Sequence, residues 1–105
     1  MIDKARGATD AWDAIWSVLD DLTTDPGLPI DVHTESGLSS IILRASDERL
    51  IDKELHIEST ARWMLALVEA YRVMMAGHHS LDPDWEIATM RVIITRYLRP
   101  ARPRV

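Results

Sequence analysis

Apolar residues recur at helical spacing along this chain, and that periodicity constrains the fold more than any other feature of the sequence. Between Ala8 and Leu22 an apolar side chain returns every three or four residues, with aspartates on the opposite side. Such a stripe predicts an amphipathic helix that buries one face. Thr9 or Asp10 can cap its start by accepting a free backbone N–H, and the Asp-Pro-Gly turn at residues 25–27 ends it.

A second periodic segment predicts a helix that begins at Ser59 or Thr60 and continues to about Ala76. Either hydroxyl can act as the N-cap, and Gly77 can close the helix at its C-terminal end. The residues expected to face inward are Ala61, Met64, Leu65, Val68, Tyr71 and Met75.

The sharpest local signal is the Leu-Asp-Pro-Asp-Trp-Glu stretch at residues 81–86. Asp82 suits the N-cap, Pro83 suits the first helical position, and the two acids that follow are favoured by the helix dipole. The predicted helix ends before Pro100. It carries the apolar residues Ile87, Met90, Ile94, Tyr97 and Leu98.

The segment Leu28–Ile57 supports two interpretations. Alternating residues at its start and a Glu-Ser-Gly turn predict a β-hairpin, which its last residues would extend into a three-stranded meander. Yet an apolar helix face recurs from Leu38 to Ala45, and Ser46 followed by two acids predicts a short helix through Leu55. We favour helices. The predicted fold is a mainly α, compact domain of about four to five helices, with an α+β fold as the alternative.

Length and composition indicate one folded domain. The chain has 105 residues and 47 % hydrophobic content, which is typical of a globular protein. It has no cysteine, which excludes disulfides, thiolate chemistry and cysteine-ligated metal sites. The first ten residues lack the apolar region of a signal peptide, and the longest strongly apolar run, Trp63–Val68, is too short to span a bilayer. We expect a cytoplasmic protein.

Charge is sorted along the chain. Residues 1–60 carry thirteen acids and five bases, a net of −8, whereas residues 61–105 carry four acids and seven bases, a net of +3; together they give the formal net charge of −5. We therefore predict a single helical domain over residues 1–99 and a basic tail of proline and arginine over residues 100–105. This distribution is typical of a protein that contacts a charged partner or a second copy of itself.

No catalytic or cofactor-binding motif is present. Glycine-rich phosphate loops and nucleophile elbows are absent, so we predict neither enzymatic activity nor a cofactor, and a small enzyme with an unsignalled active site is a further alternative. His78 and His79 precede Asp82 and Asp84, and these side chains can bind a divalent metal. Their spacing matches no standard metal site, so we interpret them as a polar connector with a helix cap.

Residues 47–65 resemble a helix-turn-helix, the DNA-reading motif in which two helices flank a short turn. A short helix would end near Leu55, His56 would lie in the turn, and a second helix would follow. Asp52 occupies a position that is usually small, and Arg62 is the single cation that the second helix offers before it becomes apolar. Because DNA affinity comes from basic surface, a helix-turn-helix regulator is the alternative and not the favoured interpretation.

Trp12 and Trp16 lie four residues apart on the first predicted helix, where both cannot point to the centre of a small core. Tryptophan is enriched at binding hot spots, and the acidic first helix complements the arginines at the end of the chain. We therefore predict a homodimer in which each basic tail contacts the first helix of its neighbour. The predicted interaction residues are Trp12, Trp16, Asp13, Asp20, Arg96, Arg99, Arg102 and Arg104.

Together these features predict a small acidic protein that acts by binding another protein, with no metal, membrane or nucleic-acid partner. Adaptor, inhibitor and immunity-type proteins, including those of phages and mobile elements, are often small, acidic and free of catalytic motifs. This expectation comes from the class and not from any single residue.

Overall fold

A computed structural model describes residues 10–99, which form four α-helices: α1 (Ala11–Thr24), α2 (Val32–Asp47), α3 (Ile57–Gly77) and α4 (Pro83–Leu98). The described residues contain no β-strand. The predicted mainly α fold is therefore confirmed, and the alternative with a hairpin or meander in residues 28–57 is wrong. No helix within residues 10–99 is long and apolar enough to cross a membrane.

The segment that looked ambiguous in the sequence is one helix, α2, because a strong cap fixes its start. Oδ1 of Asp31 accepts hydrogen bonds from the backbone N–H groups of His33 (3.0 Å) and Thr34 (3.1 Å). The Thr34 hydroxyl in turn accepts from the backbone N–H of Asp31 at 3.3 Å, which completes a capping box. The Glu-Ser-Gly residues that suggested a hairpin turn lie inside this helix, and Leu38, Ile42 and Ala45 are fully buried.

The short helix predicted from Ser46 to Leu55 does not form, because α2 continues to Asp47 and then ends in a left-handed turn. Arg49 has a φ of 61°, and the backbone N–H of Leu50 donates to the carbonyl of Ala45 at 2.9 Å. This arrangement is a Schellman-type helix end, in which the left-handed residue is more often glycine. Residues 48–56 contain turns and no helix.

Helix α3 has its N-cap three residues before Ser59 and four before Thr60, the two predicted caps. His56 is its N-cap, and Nδ1 of this histidine accepts a hydrogen bond from the backbone N–H of Ser59 at 3.1 Å. Thr60 is fully buried within the first turns of α3, and no residue from 10 to 99 provides a hydrogen-bond partner for its hydroxyl. A histidine is a rare cap, so sequence reasoning preferred the hydroxyl residues that follow it.

Both ends of α1 and of α4 agree with the sequence, whereas α3 continues through Gly77 and has His78, not Gly77, as its C-cap. Asp10 caps α1 by accepting from the backbone N–H of Asp13 at 2.8 Å, whereas Thr9, the alternative cap, lies outside the described residues. Asp82 caps α4 with Pro83 in the first turn, and α4 ends before Pro100. Both caps satisfy N–H groups that a helix leaves unpaired.

Helix α3 is the centre of the fold, since it packs against the three other helices, and α1 also packs against α2. Of its predicted inward residues, Met75 is partly buried and the other five are buried. On α4, Tyr97 is exposed although Leu98 is fully buried. The largest fully buried side chains are Ile15, Val18, Leu19, Leu22, Leu38, Ile42, Thr60, Met64, Val68, Ile94 and Leu98.

Two contacts between distant parts of the chain hold the ends of helices in place. Nη2 of Arg72 on α3 donates to the carbonyl oxygens of Leu22 (2.8 Å) and Asp25 (3.1 Å), which lie at the end of α1. At the end of α4, the carbonyl of Leu98 accepts from the backbone N–H of Asp52 at 2.8 Å. Carbonyl groups in the last turn of a helix have no partner within the helix, so these bonds satisfy them.

Candidate functional site

The two tryptophans of α1, predicted as interaction residues, pack against each other inside the described fold. Trp16 is 7 % exposed and Trp12 is half-buried. Their ring centroids lie 5.7 Å apart with an interplanar angle of 76°, an edge-to-face arrangement that stabilises aromatic pairs. Trp16 therefore offers almost no surface to a partner, whereas Trp12 keeps part of its ring accessible.

Two arginines, one within α4 and one at its C-terminal end, lie over these rings. The guanidinium carbon of Arg91 lies 4.3 Å from the centroid of the Trp16 ring, and that of Arg99 lies 3.6 Å from the Trp12 centroid. Both are cation–π contacts. Arg91 also donates from Nη1 to Oδ1 of Asp20 at 3.0 Å. An acidic residue of α1 thus meets an arginine of α4 within one chain.

The structure brings together only some of the predicted interaction residues. Asp20 and Arg99 are engaged within the chain, and Arg99 also donates from Nε to the carbonyl of Leu50. Asp13 and Arg96 are exposed. Arg102 and Arg104 lie outside the described residues. A role for these residues in self-association through α1 stays a prediction.

A different surface, formed by α3 and α4, carries most of the exposed large apolar side chains. Trp63 is 64 % exposed and Trp85 is 71 % exposed. We call this surface the α3–α4 face; its exposed large apolar residues are Trp63, Val73, Met74, Trp85, Val92, Ile93 and Tyr97. Scattered exposed apolar residues are ordinary, whereas a contiguous apolar patch is typical of interaction sites; of these seven residues, Met74 and Ile93 line one groove.

A shallow groove of about 140 Å³ runs along the α3–α4 face. Its α3 wall is Leu67, Ala70, Tyr71 and Met74, and its α4 wall is Glu86, Thr89, Met90 and Ile93. The Thr89 hydroxyl donates to the carbonyl of Trp85 at 3.0 Å, so it is turned back to its own helix. Glu86 is the one charged side chain in the lining, and Tyr71 and Thr89 are its other polar residues.

Tyr71 and Asp31 have pKa values that depart from the ordinary ones for identifiable reasons. Burial raises the pKa of the Tyr71 phenol above 10.0, and the negative charge of Asp84 raises it further. The hydrogen bond from the Thr34 backbone is the main cause that lowers the pKa of Asp31 below 3.8. The raised pKa of Tyr71 reflects its position in a partly desolvated groove wall. The lowered pKa of Asp31 reflects its role as the N-cap of α2.

The described residues do not assemble a recognisable metal centre. No group of three or more histidines, aspartates and glutamates within residues 10–99 lies close enough to hold a metal ion. His78 and His79 are exposed in the loop before α4, where Asp82 acts as the helix cap.

The helix-turn-helix does not form at the residues that resemble it. Its first helix would occupy residues 47–55, but α2 ends at Asp47 and a loop follows. Arg62, the cation expected on the second helix, pairs from Nε with Oε1 of Glu35 at 3.0 Å. The structural basis for that alternative is therefore missing from this segment.

Comparison with known proteins does not assign the chain to a family. A scan against protein-family models, a search of curated proteins and a search of solved structures each return no match. The function is therefore inferred from the surfaces of the described residues alone.

Sequence reasoning missed the α3–α4 face, although a signal for it was present. Trp63, Val73 and Ile93 lie outside the inward stripes of their helices, so α3 and α4 each have apolar residues on two sides. A helix that is apolar all round is expected to be buried on all sides or to have a second contact surface. Within residues 10–99, the exposed apolar residues of α3 and α4 lie on sides that the other helices do not bury.

Proposed function

We propose that this chain is a protein-binding module of the cytoplasm, of the adaptor, inhibitor or immunity type, and that the α3–α4 face is its docking surface. The observation that carries the proposal is the groove between Leu67, Ala70 and Met74 on α3 and Thr89 and Ile93 on α4, together with the exposed aromatic rings that the same two helices carry. Its activity is binding and not catalysis.

The chemistry of the face supports a protein as the partner. Trp, Tyr and Met are enriched in protein interfaces, and exposed Trp63, Trp85 and Tyr97 can fill pockets of a partner. Small-molecule sites usually enclose about 300–1,000 Å³. The groove of about 140 Å³ is smaller and open, which suits side chains from another protein better than a whole ligand.

The charge of the face argues against a nucleic acid as the partner. Between Trp85 and Tyr97, the charged residues are Glu86, Arg91 and Arg96. Arg91 is turned inward against Trp16, which leaves one acid and one base on the outer side. Binding to phosphates requires several cations on one surface, and this face does not offer them.

Affinity capture from a lysate of the source cells tests the proposal. Ile93→Glu places a charge on the face, and Leu43→Glu places the same charge on an exposed leucine of α2 away from it. We expect wild type and Leu43→Glu to retain the same protein in a stoichiometric complex, and Ile93→Glu to lose it. Equal retention by both variants would contradict the proposal, provided that circular dichroism shows both to be folded.

A further inference from the structure

We infer that the partner of the α3–α4 face is a second copy of this chain, bound by antiparallel packing of α4 against the partner's α4. This inference deepens the proposed function, because it uses the same face. The two-fold axis would cross α4 at the level of Arg91, on the side opposite to the Arg91 side chain. Three observations support it: the order of residues on the outer side of α4, their charges, and the exposed area.

Residues on the outer side of α4 form positional pairs on either side of Arg91, and the outermost pair is aromatic at both ends. Trp85 and Tyr97 are aromatic residues six positions before and after Arg91, and Thr89 and Ile93 are two positions before and after it. A helix turns about 100° per residue, so these residues lie within about 60° of one line along the helix, opposite to Arg91. In a two-fold interface centred on Arg91, each residue contacts the partner residue that lies equally far on the other side of Arg91. The two residues of each pair must therefore be complementary.

Charge selects the antiparallel orientation. Glu86 and Arg96 are five positions before and after Arg91, and they are the two charged residues on the outer side of α4. In the antiparallel register each Glu86 lies opposite the partner's Arg96, which gives two ion pairs of opposite sign. In a parallel register Glu86 would face the partner's Glu86, and the repulsion would disfavour binding.

The exposed apolar area of α4 supplies part of a dimer interface. Four of the exposed large apolar side chains, Trp85, Val92, Ile93 and Tyr97, belong to α4 and have exposed fractions between 44 % and 71 %. Aromatic side chains have total areas of roughly 150–250 Å² and aliphatic ones less, so together these four expose roughly 400 Å². A standard interface buries about 800 Å² on each partner, and the polar residues of α4 and the neighbouring groove wall on α3 would supply the rest.

The contacts that α1 makes within its own chain disfavour it as the dimer surface. Trp16 is buried, Trp12 is half-buried beneath Arg99, and Asp20, which was predicted to contact the basic tail of a neighbouring subunit, pairs with Arg91 within one chain. The α4 surface has no such cover within residues 10–99.

Light scattering and sedimentation equilibrium on the purified chain test the stoichiometry. We expect wild type and Leu43→Glu to be dimers at tens of micromolar, and Ile93→Glu to raise the dissociation constant at least tenfold, because it places two carboxylates near the axis. We expect Glu86→Arg and Arg96→Glu each to weaken the dimer and the double variant to restore it. A monomeric wild type at about 300 µM, or a double variant weaker than both single variants, would overturn the inference.

Disulfide cross-linking tests the register, since the chain has no cysteine of its own. Glu86→Cys mixed with Arg96→Cys should form the mixed disulfide under mild oxidation. In the antiparallel register the two Glu86 positions are separated by ten residues, or about 15 Å along the helix, and a disulfide needs Cα atoms within about 7 Å. Disulfides between identical variants and none in the mixture would contradict the register.

The two proposals can fail separately. A monomeric wild type that still captures a foreign protein, and loses it with Ile93→Glu, would overturn the dimer and leave the binding module intact. A dimer with the cross-link described, but with no foreign protein captured, would support the second copy as the occupant of the face and overturn the binding of a different protein.

Discussion

The four tryptophans form two groups that differ in what covers them. Trp12 and Trp16 on α1 pack against each other beneath Arg99 and Arg91. Trp63 on α3 and Trp85 on α4 are mostly exposed. Both groups belong to amphipathic segments with similar helical spacing. The difference shows that the fate of a large apolar side chain depends on which neighbour reaches it and not on its own periodicity alone.

Helix α4 connects the two groups, because its two sides have opposite roles. One side carries Arg91, Ile94 and Leu98 and closes the core over α1 and the loop after α2. The opposite side carries Trp85, Ile93 and neighbouring residues, which no described element covers. The first side contributes to the stability of the fold, and we propose that the second contributes to binding.

Replacing one tryptophan from each group tests this comparison with the largest expected effect. Trp16→Ala should lower the free energy of unfolding by about 3–5 kcal/mol, because it removes a buried ring and leaves a cavity. Trp85→Ala should change it by no more than about 0.5 kcal/mol, as for most surface substitutions. Both variants are measured by urea unfolding in the Ile93→Glu background, so that the face is not occupied. If the two variants lost equal free energy of unfolding, the buried and the exposed tryptophans would not differ in their contribution to stability.

Two arginines on opposite sides of α4 provide a finer test. Arg91→Gln should lower the free energy of unfolding by about 1–2 kcal/mol, because it loses the cation–π contact with Trp16 and the ion pair with Asp20. Both groups of the ion pair are partly exposed, so that pair contributes the smaller part. Arg96→Gln, which changes the outer side, is the matched control and should leave monomer stability almost unchanged.

The salt dependence of the Arg91 effect separates its two causes. At about 1 M salt the ion pair with Asp20 is screened, whereas the contact of the guanidinium with the ring is largely retained. Arg91→Lys should keep part of the stability, since a lysine can also lie over the ring. If Arg91→Gln and Arg96→Gln had the same free energy of unfolding, the contact of Arg91 with Trp16 would not stabilise the fold.

The sequence predicts the helices best where a strong cap and a one-sided apolar stripe agree. This holds for α1 with Asp10 and for α4 with Asp82 and Pro83. The prediction of a helix is weaker for α2, since the alternating residues at its start are also typical of a strand. The capping box of Asp31 and Thr34 favours the helix over the strand. The prediction of a helix is wrong for residues 48–56. There Arg49, in a left-handed conformation, ends α2 without the glycine that usually indicates such an end.

The candidate site was harder to predict because it depends on long-range contacts. The charge split between the acidic first helix and the basic tail predicts a contact between subunits, but the sequence does not show whether acids of the first helix meet arginines within one chain or between two. Asp20 and Arg91 are 71 residues apart and meet only because α3 brings α4 beside α1. The α3–α4 face becomes visible only when the buried sides of both helices are known.

The smallest predicted effect concerns Tyr71, which lies in the wall of the groove and is 8 % exposed. Burial, followed by repulsion from Asp84, raises its pKa above 10.0. The unfolded chain therefore releases this proton at lower pH than the folded chain does. Stability from the neutral phenol is fully present below pH 10.0 and is lost as the pH rises through the folded pKa.

Spectrophotometric titration in a Tyr97→Phe background measures this pKa, since the chain has two tyrosines. Asp84→Asn should lower the pKa of Tyr71 partway toward 10.0, because burial, the larger cause, is retained. Glu58→Gln at the other end of α3 is the control and should leave it unchanged. If a second copy covers the groove, the pKa of Tyr71 should also be higher at protein concentrations at which the chain is a dimer than after dilution to the monomer, because an occupied groove holds less water. Identical values in the two forms would indicate that the dimer interface does not include the groove, and would restrict it to the outer side of α4.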